Sequence, residues 1–365
     1  MGTRGPESDR PTVAVIVPAR NEGACLGACL ESLVAQTGVG FEIIVVDDVS
    51  TDRTREIAQS YPGVRVIDAA PLPPGWSGKS NALVAGAKQA RGEWLLFTDA
   101  DTVHKSGSMA RSVAEAQQQK AALLSYSPEQ EVHGVWEKAV MPVIFAELAA
   151  TYRPSEVSDP ASSAAAANGQ YILVSREAYD AVGGHAAVAT SLLEDVALAR
   201  AVKASGRKIF FRYGGDAVRT RMYRTFAQLR EGWTKNLVLL FRSPVRLAVL
   251  RLTEFLLIVS SCAVAIVTGL RGKWYPAGIA WIVTVVLSVF LFKRIRKAHF
   301  SWDANGLAWM GLPLFSYLLL RSRIARSRGT VSWKGRRYLT NEVRAGRSHD
   351  SLRDTGATSN RATTT

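Results

Sequence analysis

Two aspartates one residue apart, Asp99 and Asp101, follow the apolar run Trp94–Phe97. In extended backbone, residues i and i+2 point to the same side, so both carboxylates can converge on one site. A hard divalent cation such as Mg2+ or Mn2+ takes oxygen ligands of this kind and commonly completes its shell with phosphates. There it would offset charge building on a leaving diphosphate. An Asp-x-Asp standing alone is better read as a helix cap beside a solvated carboxylate, so the other acidic residues decide. Asp47-Asp48 closes a second apolar run and enters Ser50-Thr51-Asp52. One carboxylate there can meet a base or ribose while Asp52 caps the next helix. The glycine-flanked loop Gly75-Trp76-Ser77-Gly78-Lys79-Ser80-Asn81 opens another helix and offers backbone N–H groups and Lys79 to a phosphate, without the glycine spacing of a P-loop. Glu194-Asp195 begins a helix, and two readings stay open: first-turn charge complementing the helix dipole, or a general base acting on an acceptor hydroxyl.

These residues need a scaffold that brings distant segments to one rim. From Val13 to about Ser127 short β-branched runs alternate with helix-length segments, the pattern of an α/β domain with a largely parallel sheet. Strands are expected at Val13–Val17, Glu42–Val46, Val64–Ile67 and Trp94–Phe97. Helices are expected at Gly23–Gln36, at Asp52–Ser60 with Ser50 and Thr51 as caps, and at Lys79–Ala90. Such sheets bind ligands at the carboxyl ends of their strands, where Pro18-Ala19-Arg20-Asn21-Glu22, Asp47-Asp48 and Asp99-Ala100-Asp101 collect. Further on, a helix is expected at Val135–Tyr152, a loop at Ser158–Ala167, a strand at Tyr171–Val174 and helices near Arg176–Val182 and Leu193–Ala204.

The last third changes character. Phe255–Leu270, Trp274–Phe292 and Ala304–Leu320 carry no charge, and a helix needs ~20 apolar residues to cross a bilayer. Arg271-Gly272-Lys273 makes a hairpin of the first two runs. The third, with Pro313 and two glycines, reads as re-entrant or interfacial. The net charge of +14 comes from 45 Lys and Arg against 31 Asp and Glu, and much of the surplus flanks these runs. That placement fits membrane-flanking charge, and no motif supports a nucleic-acid partner. Three cysteines make no disulfide framework. Residues 1–11 are polar and lack a secretory signal, so the N-terminal domain is expected in the cytosol, and the late apolar runs predict a multi-pass protein of the cell membrane.

Taken together, Val15–Glu22, Glu42–Asp52, Gly92–Asp101 and Leu193-Glu194-Asp195 resemble glycosyltransferase family 2. With Pro73–Lys79 and the late apolar runs, the chain is similar to the membrane-anchored members that act on hopanoids and carotenoids. The resemblance implies a GT-A fold, a Rossmann-like mixed α/β sheet with helices over residues 12–245. It would be followed by two to four membrane helices over 246–322 and a basic, largely disordered cytoplasmic tail over 323–365. It further implies a nucleotide-diphosphate sugar, a UDP-sugar by preference, bordered by Pro18, Ala19, Arg20, Glu22, Asp47, Asp48 and Lys79. Asp99 would stand beside the sugar and Asp101 on the metal. Asp195 would be the base of an inverting displacement with Glu194 beside it, and Asn168, Gly169, Gln170, Trp233 and Lys235 would face a lipid acceptor. Polymer-forming members carry Gln-x-x-Arg-Trp where this chain has Gly232 before Trp233, which favours transfer of one sugar. The rivals are a polyprenyl-phosphate sugar synthase or a small polysaccharide synthase, and an inactive scaffold that only binds the nucleotide sugar.

Overall fold

The computed structural model describes residues 11–333 and 336–338. The sequence also predicts disorder at residues 1–11 and in the tail past Thr340; apart from Pro11, these lie outside the described residues. The N-terminal part runs β1 (Val13–Ala19), α1 (Leu26–Val34), β2 (Phe41–Asp47), α2 (Thr54–Gln59), β3 (Val64–Asp68), α3 (Gly78–Gln89), β4 (Trp94–Phe97), β5 (Thr102–His104), α4 (Ser108–Gln118), β6 (Leu123–Ser127) and β7 (Glu129–Gln130). It continues with α5 (Val135–Thr151), α6 (Pro154–Ser158), β8 (Ile172–Ser175), α7 (Arg176–Ala181), α8 (Gly184–Ala187), α9 (Glu194–Ala204), β9 (Ile209–Tyr213), β10 (Val218–Thr220) and α10 (Phe226–Leu240). The C-terminal part holds α11 (Pro244–Leu270), α12 (Trp274–Ile295), a 3-10 turn at Arg296–Ala298, α13 (Trp302–Ser327) and the strands β11 (Val331–Trp333) and β12 (Arg336–Tyr338).

Seven strands form one sheet in the order β3-β2-β1-β4-β8-β6-β9. The first four are parallel, and β8 runs antiparallel to both neighbours. The sheet is buried on both faces, which is why its strands read as continuous apolar runs. Alternate side chains of β1 serve opposite cores. Val13, Val15 and Val17 pack with Leu26, Leu30 and Met109, while Ala14 and Ile16 pack with Leu83, Ala87 and Leu198. Ser50 and Thr51 do not cap α2. Their groups bind Asn21 instead, and Asp52 accepts the N–H groups of Thr54 and Gly23, which ties the β1 and β2 loops together.

A third core joins the helices. Val140 and Ile144 of α5 pack with Leu237 of α10, Leu312, Phe315 and Leu319 of α13, and Leu291 of α12. The expected re-entrant third run is one continuous helix. Pro313 does not break it, and Ala304, Ala308, Gly311 and Phe315 face inward. At Gly311 the backbones of α13 and α5 come so close that a Cβ would stand 1.9 Å from the Ala139 carbonyl oxygen. The boundary expected at residue 323 falls inside α13, and a short antiparallel hairpin of β11 and β12 follows where a disordered tail was expected.

The hairpin of α11 and α12 behaves differently. These are the two described helices long and apolar enough to cross a membrane, and only 11% and 17% of their apolar windows are buried. Leu256, Ile266, Trp281, Ile282 and Phe290 are exposed. At its near end Glu147 of α5 pairs with Arg251 and Arg294, and Glu254 pairs with the same two arginines. His299, just past the hairpin, stacks on Tyr213 of β9 with ring centroids 4.0 Å apart.

Candidate active site

The carboxyl ends of β1, β2 and β4 lie side by side, since Val13–Ile16 pairs with Trp94–Phe97 and Ala19 with Asp47. Asp47 is buried and committed to structure, accepting the Ser50 N–H at 3.1 Å and pairing with Arg55 at 3.5 Å. Asp48 meets Arg20, whose guanidinium donates to the Asp48 carbonyl at 3.2 Å and lies 3.6 Å from its carboxylate. Ala19 is buried and its carbonyl accepts the Asp48 N–H, while Pro18 is half-buried. Glu22 sits at the entry to α1, where its backbone N–H meets Thr54 and its carboxylate accepts the Cys25 thiol.

Asp99 and Asp101 occupy the turn between β4 and β5. Thr102 donates its hydroxyl to the Asp99 carbonyl at 2.5 Å, and Thr220 of β10 donates to the Asp101 carbonyl at 3.1 Å. Cys29 beneath this turn has its thiol pushed up to about 12, by burial first and then by the charges of Asp101, Asp99 and Glu22. His104 supports the turn from below through Thr98 at 3.0 Å, and burial lowers its pKa to about 3, leaving it neutral.

Lys79 is the hub of the site. Ser77 caps α3 by accepting the Ser80 N–H, which fixes the first turn from which Lys79 reaches Asp99 at 2.7 Å and Glu194 at 3.1 Å. Burial alone would discharge this amine, but Asp99, Glu194 and Asp195 outweigh it and hold its pKa well above the usual lysine value. Glu194 is held below the usual carboxylate range: burial pushes it up, and Lys79 and then Lys235 overcome that. Asp195 goes the other way, raised to about 6 by burial and by Glu194 beside it. Its carboxylate accepts the Gly169 N–H at 3.0 Å and the Val196 N–H at 2.8 Å, so its direction is fixed. Neighbouring carboxylates with pKa values driven apart are what an acid–base site requires.

The residues expected on the acceptor side divide. Gly169 is in the cluster by its N–H, and Lys235 of α10 lies within the field of Glu194, Asp195 and Asp99, with burial lowering its pKa. Asn168 shapes the turn, its side-chain oxygen accepting the Gln170 N–H. Gln170 is buried as a brace, reaching Thr220 at 3.2 Å and so supporting Asp101 from behind. Trp233 is only 2% exposed and packs edge-on against Phe145 and Tyr223 in the third core. Sequence reasoning missed Tyr223. It is buried beside Asp101, and its ring fills the space over Gly232, where an added Cβ would fall 2.4 Å from its hydroxyl. A glycine next to a tryptophan was the available signal.

Among the described residues no three His, Cys, Asp or Glu side chains cluster as a closed metal cage. Two carboxylates on one braced turn suit a cation whose shell is completed by ligand phosphates.

Comparison with known proteins agrees with this fold. The glycosyl transferase family 2 profile matches residues 14–183. A 4,4'-diaponeurosporenoate glycosyltransferase of Staphylococcus aureus strain MRSA252 is 30% identical over 345 residues, covering 89% of this chain and 88% of its own. The chain belongs to glycosyltransferase family 2. A second such enzyme, from the bovine strain RF122 / ET3-1, is 29% identical over 346 residues, covering 90% of this chain and 88% of its own. Among solved structures, the mannosyltransferase PcManGT from Pyrobaculum calidifontis, in complex with GDP-Man and Mn2+, superposes with a TM-score of 0.50 over 87% of each chain at 17% identity. The family 2 enzymes share the GT-A sheet, and this chain is a glycosyltransferase with that fold.

Proposed function

We propose that the chain moves a single sugar from a nucleoside-diphosphate donor, UDP-linked by preference, to a membrane-borne acceptor of the carotenoid or related isoprenoid type. The observation that carries this reading is the Lys79 cluster. It joins a fixed carboxylate with a pKa raised to about 6 to Asp99 at the end of β4. Asp48, Arg20 and the β1 loop border the nucleotide. Asp99 and Asp101 would hold a Mg2+ or Mn2+, which when bound supplies positive charge for the departing diphosphate. Asp195 takes the proton of an acceptor hydroxyl, poised by Glu194 and aimed by Gly169. In this reading the hairpin of α11 and α12 crosses the membrane and the rim works at its cytoplasmic face, supported by the exposed apolar length of both helices. Since α13 packs on α5, both ends of the hairpin lie on the catalytic side, which accounts for two crossings.

The relatives' acceptor, diaponeurosporenoate, is by its name a carboxylate. A carboxylate arrives ionised and asks for no base, whereas a hydroxyl does, so a rising limb near pH 6 in the rate favours the hydroxyl. The direct test incubates membranes holding the full chain with radiolabelled UDP- and GDP-sugars, with and without EDTA. A chloroform-soluble single-sugar product that is lost with EDTA and restored by Mn2+ is expected. A polymeric product, or turnover indifferent to chelation, overturns the reading.

A further inference from the structure

The protein carries a preformed cavity of about 860 Å3, one of whose lining residues, Tyr152, feels the charge of Asp195. None of Lys79, Asp99, Asp101, Glu194 or Asp195 lines it. Its walls come from the end of α5, the loop after α6, α9, the end of α10, the start of α11 and the end of α13. Side chains cross-link these pieces. Tyr152 donates to the Leu240 carbonyl at 3.0 Å, Ser322 accepts the Val238 N–H at 2.9 Å, and Lys203 donates to the carbonyls of Val157 and Ala164 at 2.7 and 2.6 Å. The shape is therefore held without a ligand.

The lining has two chemistries. Arg200, Arg242, Arg323 and Arg326 contribute four positive charges, against one carboxylate, Glu156, which pairs with Arg153 at 3.0 Å. The rest of one wall is apolar, the Val238–Phe241 end of α10 running into Pro244. Pro244 is the first residue of α11, so the cavity opens where the exposed apolar hairpin begins. An occupant must present an oxyanion to the arginines and a hydrocarbon to the wall. Inorganic phosphate leaves the apolar wall unused. A nucleotide would likewise leave the apolar wall beside Pro244 unused.

We propose that this cavity binds the phosphate headgroup of an anionic membrane phospholipid, and so seats the catalytic domain on the bilayer at a fixed height. The proposal rests on the membrane location proposed above. The test uses the full chain in detergent and native mass spectrometry with added phosphatidylglycerol or phosphatidylcholine. The expected result is retention of phosphatidylglycerol over phosphatidylcholine, weakened roughly 10-fold or more by Arg242→Gln with Arg323→Gln. It should be largely kept by Arg242→Lys with Arg323→Lys, and unchanged by Arg271→Gln with Lys273→Gln in the far turn. Equal binding of the two lipids, undiminished retention by the glutamine pair, or displacement of the lipid by equimolar inorganic phosphate would overturn it. Alkaline carbonate washing of membranes separates the two claims. A chain that stays in the membrane yet shows no lipid preference sinks the cavity alone, whereas a chain washed free sinks the membrane location and the cavity with it.

Discussion

The catalytic rim and the α11–α12 hairpin solve opposite solvation problems. At the rim, Lys79, Asp99, Glu194 and Asp195 lose part of their water and recover its worth from each other and from the N–H groups of Gly169 and Val196. In the hairpin, Leu256, Trp281, Ile282 and Phe290 find little protein to pack on, while one side is fastened to the domain by the core contacts of Ala248, Ile258, Leu291 and Ile295 and by the ion network of Glu147, Arg251, Glu254 and Arg294. A self-compensated region is sensitive to every atom removed from it. A region compensated from outside is sensitive to its surroundings, and exposed apolar surface on this scale calls for a non-aqueous neighbour.

The largest effect should come from the proposed base. Asp195→Asn is expected to lower turnover by about 10²–10⁴-fold while leaving nucleotide binding in place. In the unaltered chain kcat/KM should rise with pH through about 6 and then level, because the proposed base Asp195 would work as the anion and is protonated below that value. The variant should lack that limb. Full activity in the variant would remove Asp195 from the chemistry.

Lys79→Met breaks the cluster at its centre and is expected to cost about 10²-fold in turnover. Lys79 is one of the groups that lower the Asp195 pKa, so its loss must move the pH limb upward from about 6. A rate loss with the limb unmoved would show that Lys79 acts only by packing.

The rim and the hairpin were unequally legible in the sequence. The strands were plain because a sheet covered on both faces needs apolar runs such as Val13–Val17, and the acidic residues announced themselves at the ends of those runs. The partners of Lys79 were not, because Asp99 and Glu194 are distant in the chain and only the fold measures the gap. Hydropathy found α11, α12 and α13 alike, but it counts apolar atoms without telling lipid from protein. The distinguishing signal in α13 was the spacing of Ala304, Ala308, Gly311 and Phe315, a face of mostly small residues shaped for a neighbouring helix. Short strands such as β5, β7 and β10 gave no pattern, since two or three residues cannot display a period. Trp233 read as an acceptor contact because its motif points there, whereas its ring is spent inside the third core.

That difference between the late helices can be broken on purpose. Gly311→Ala puts a methyl into the Ala139 carbonyl, which a backbone cannot yield as a flexible side chain would. Forced separation of α5 and α13 should cost about 1–3 kcal/mol, read as a lower melting temperature of the detergent-solubilised chain. An unchanged melting temperature would mean that the two helices are not packed this closely.

The smallest effect is the most discriminating for the hairpin. Ile282 is 63% exposed in the middle of α12, so Ile282→Asn removes almost no protein contact. The melting temperature in detergent should move by no more than about 0.5 kcal/mol allows, although the same change at a buried position such as Ile144 would be severe. What should change is partition: an amide in hydrocarbon is unfavourable, so less of the chain should survive carbonate extraction of membranes than without the substitution. If Ile282 were instead covered by a second protein surface, the variant would lose stability or change its oligomeric state in detergent. A melting curve and a sizing run on one sample therefore decide whether lipid or protein covers this face.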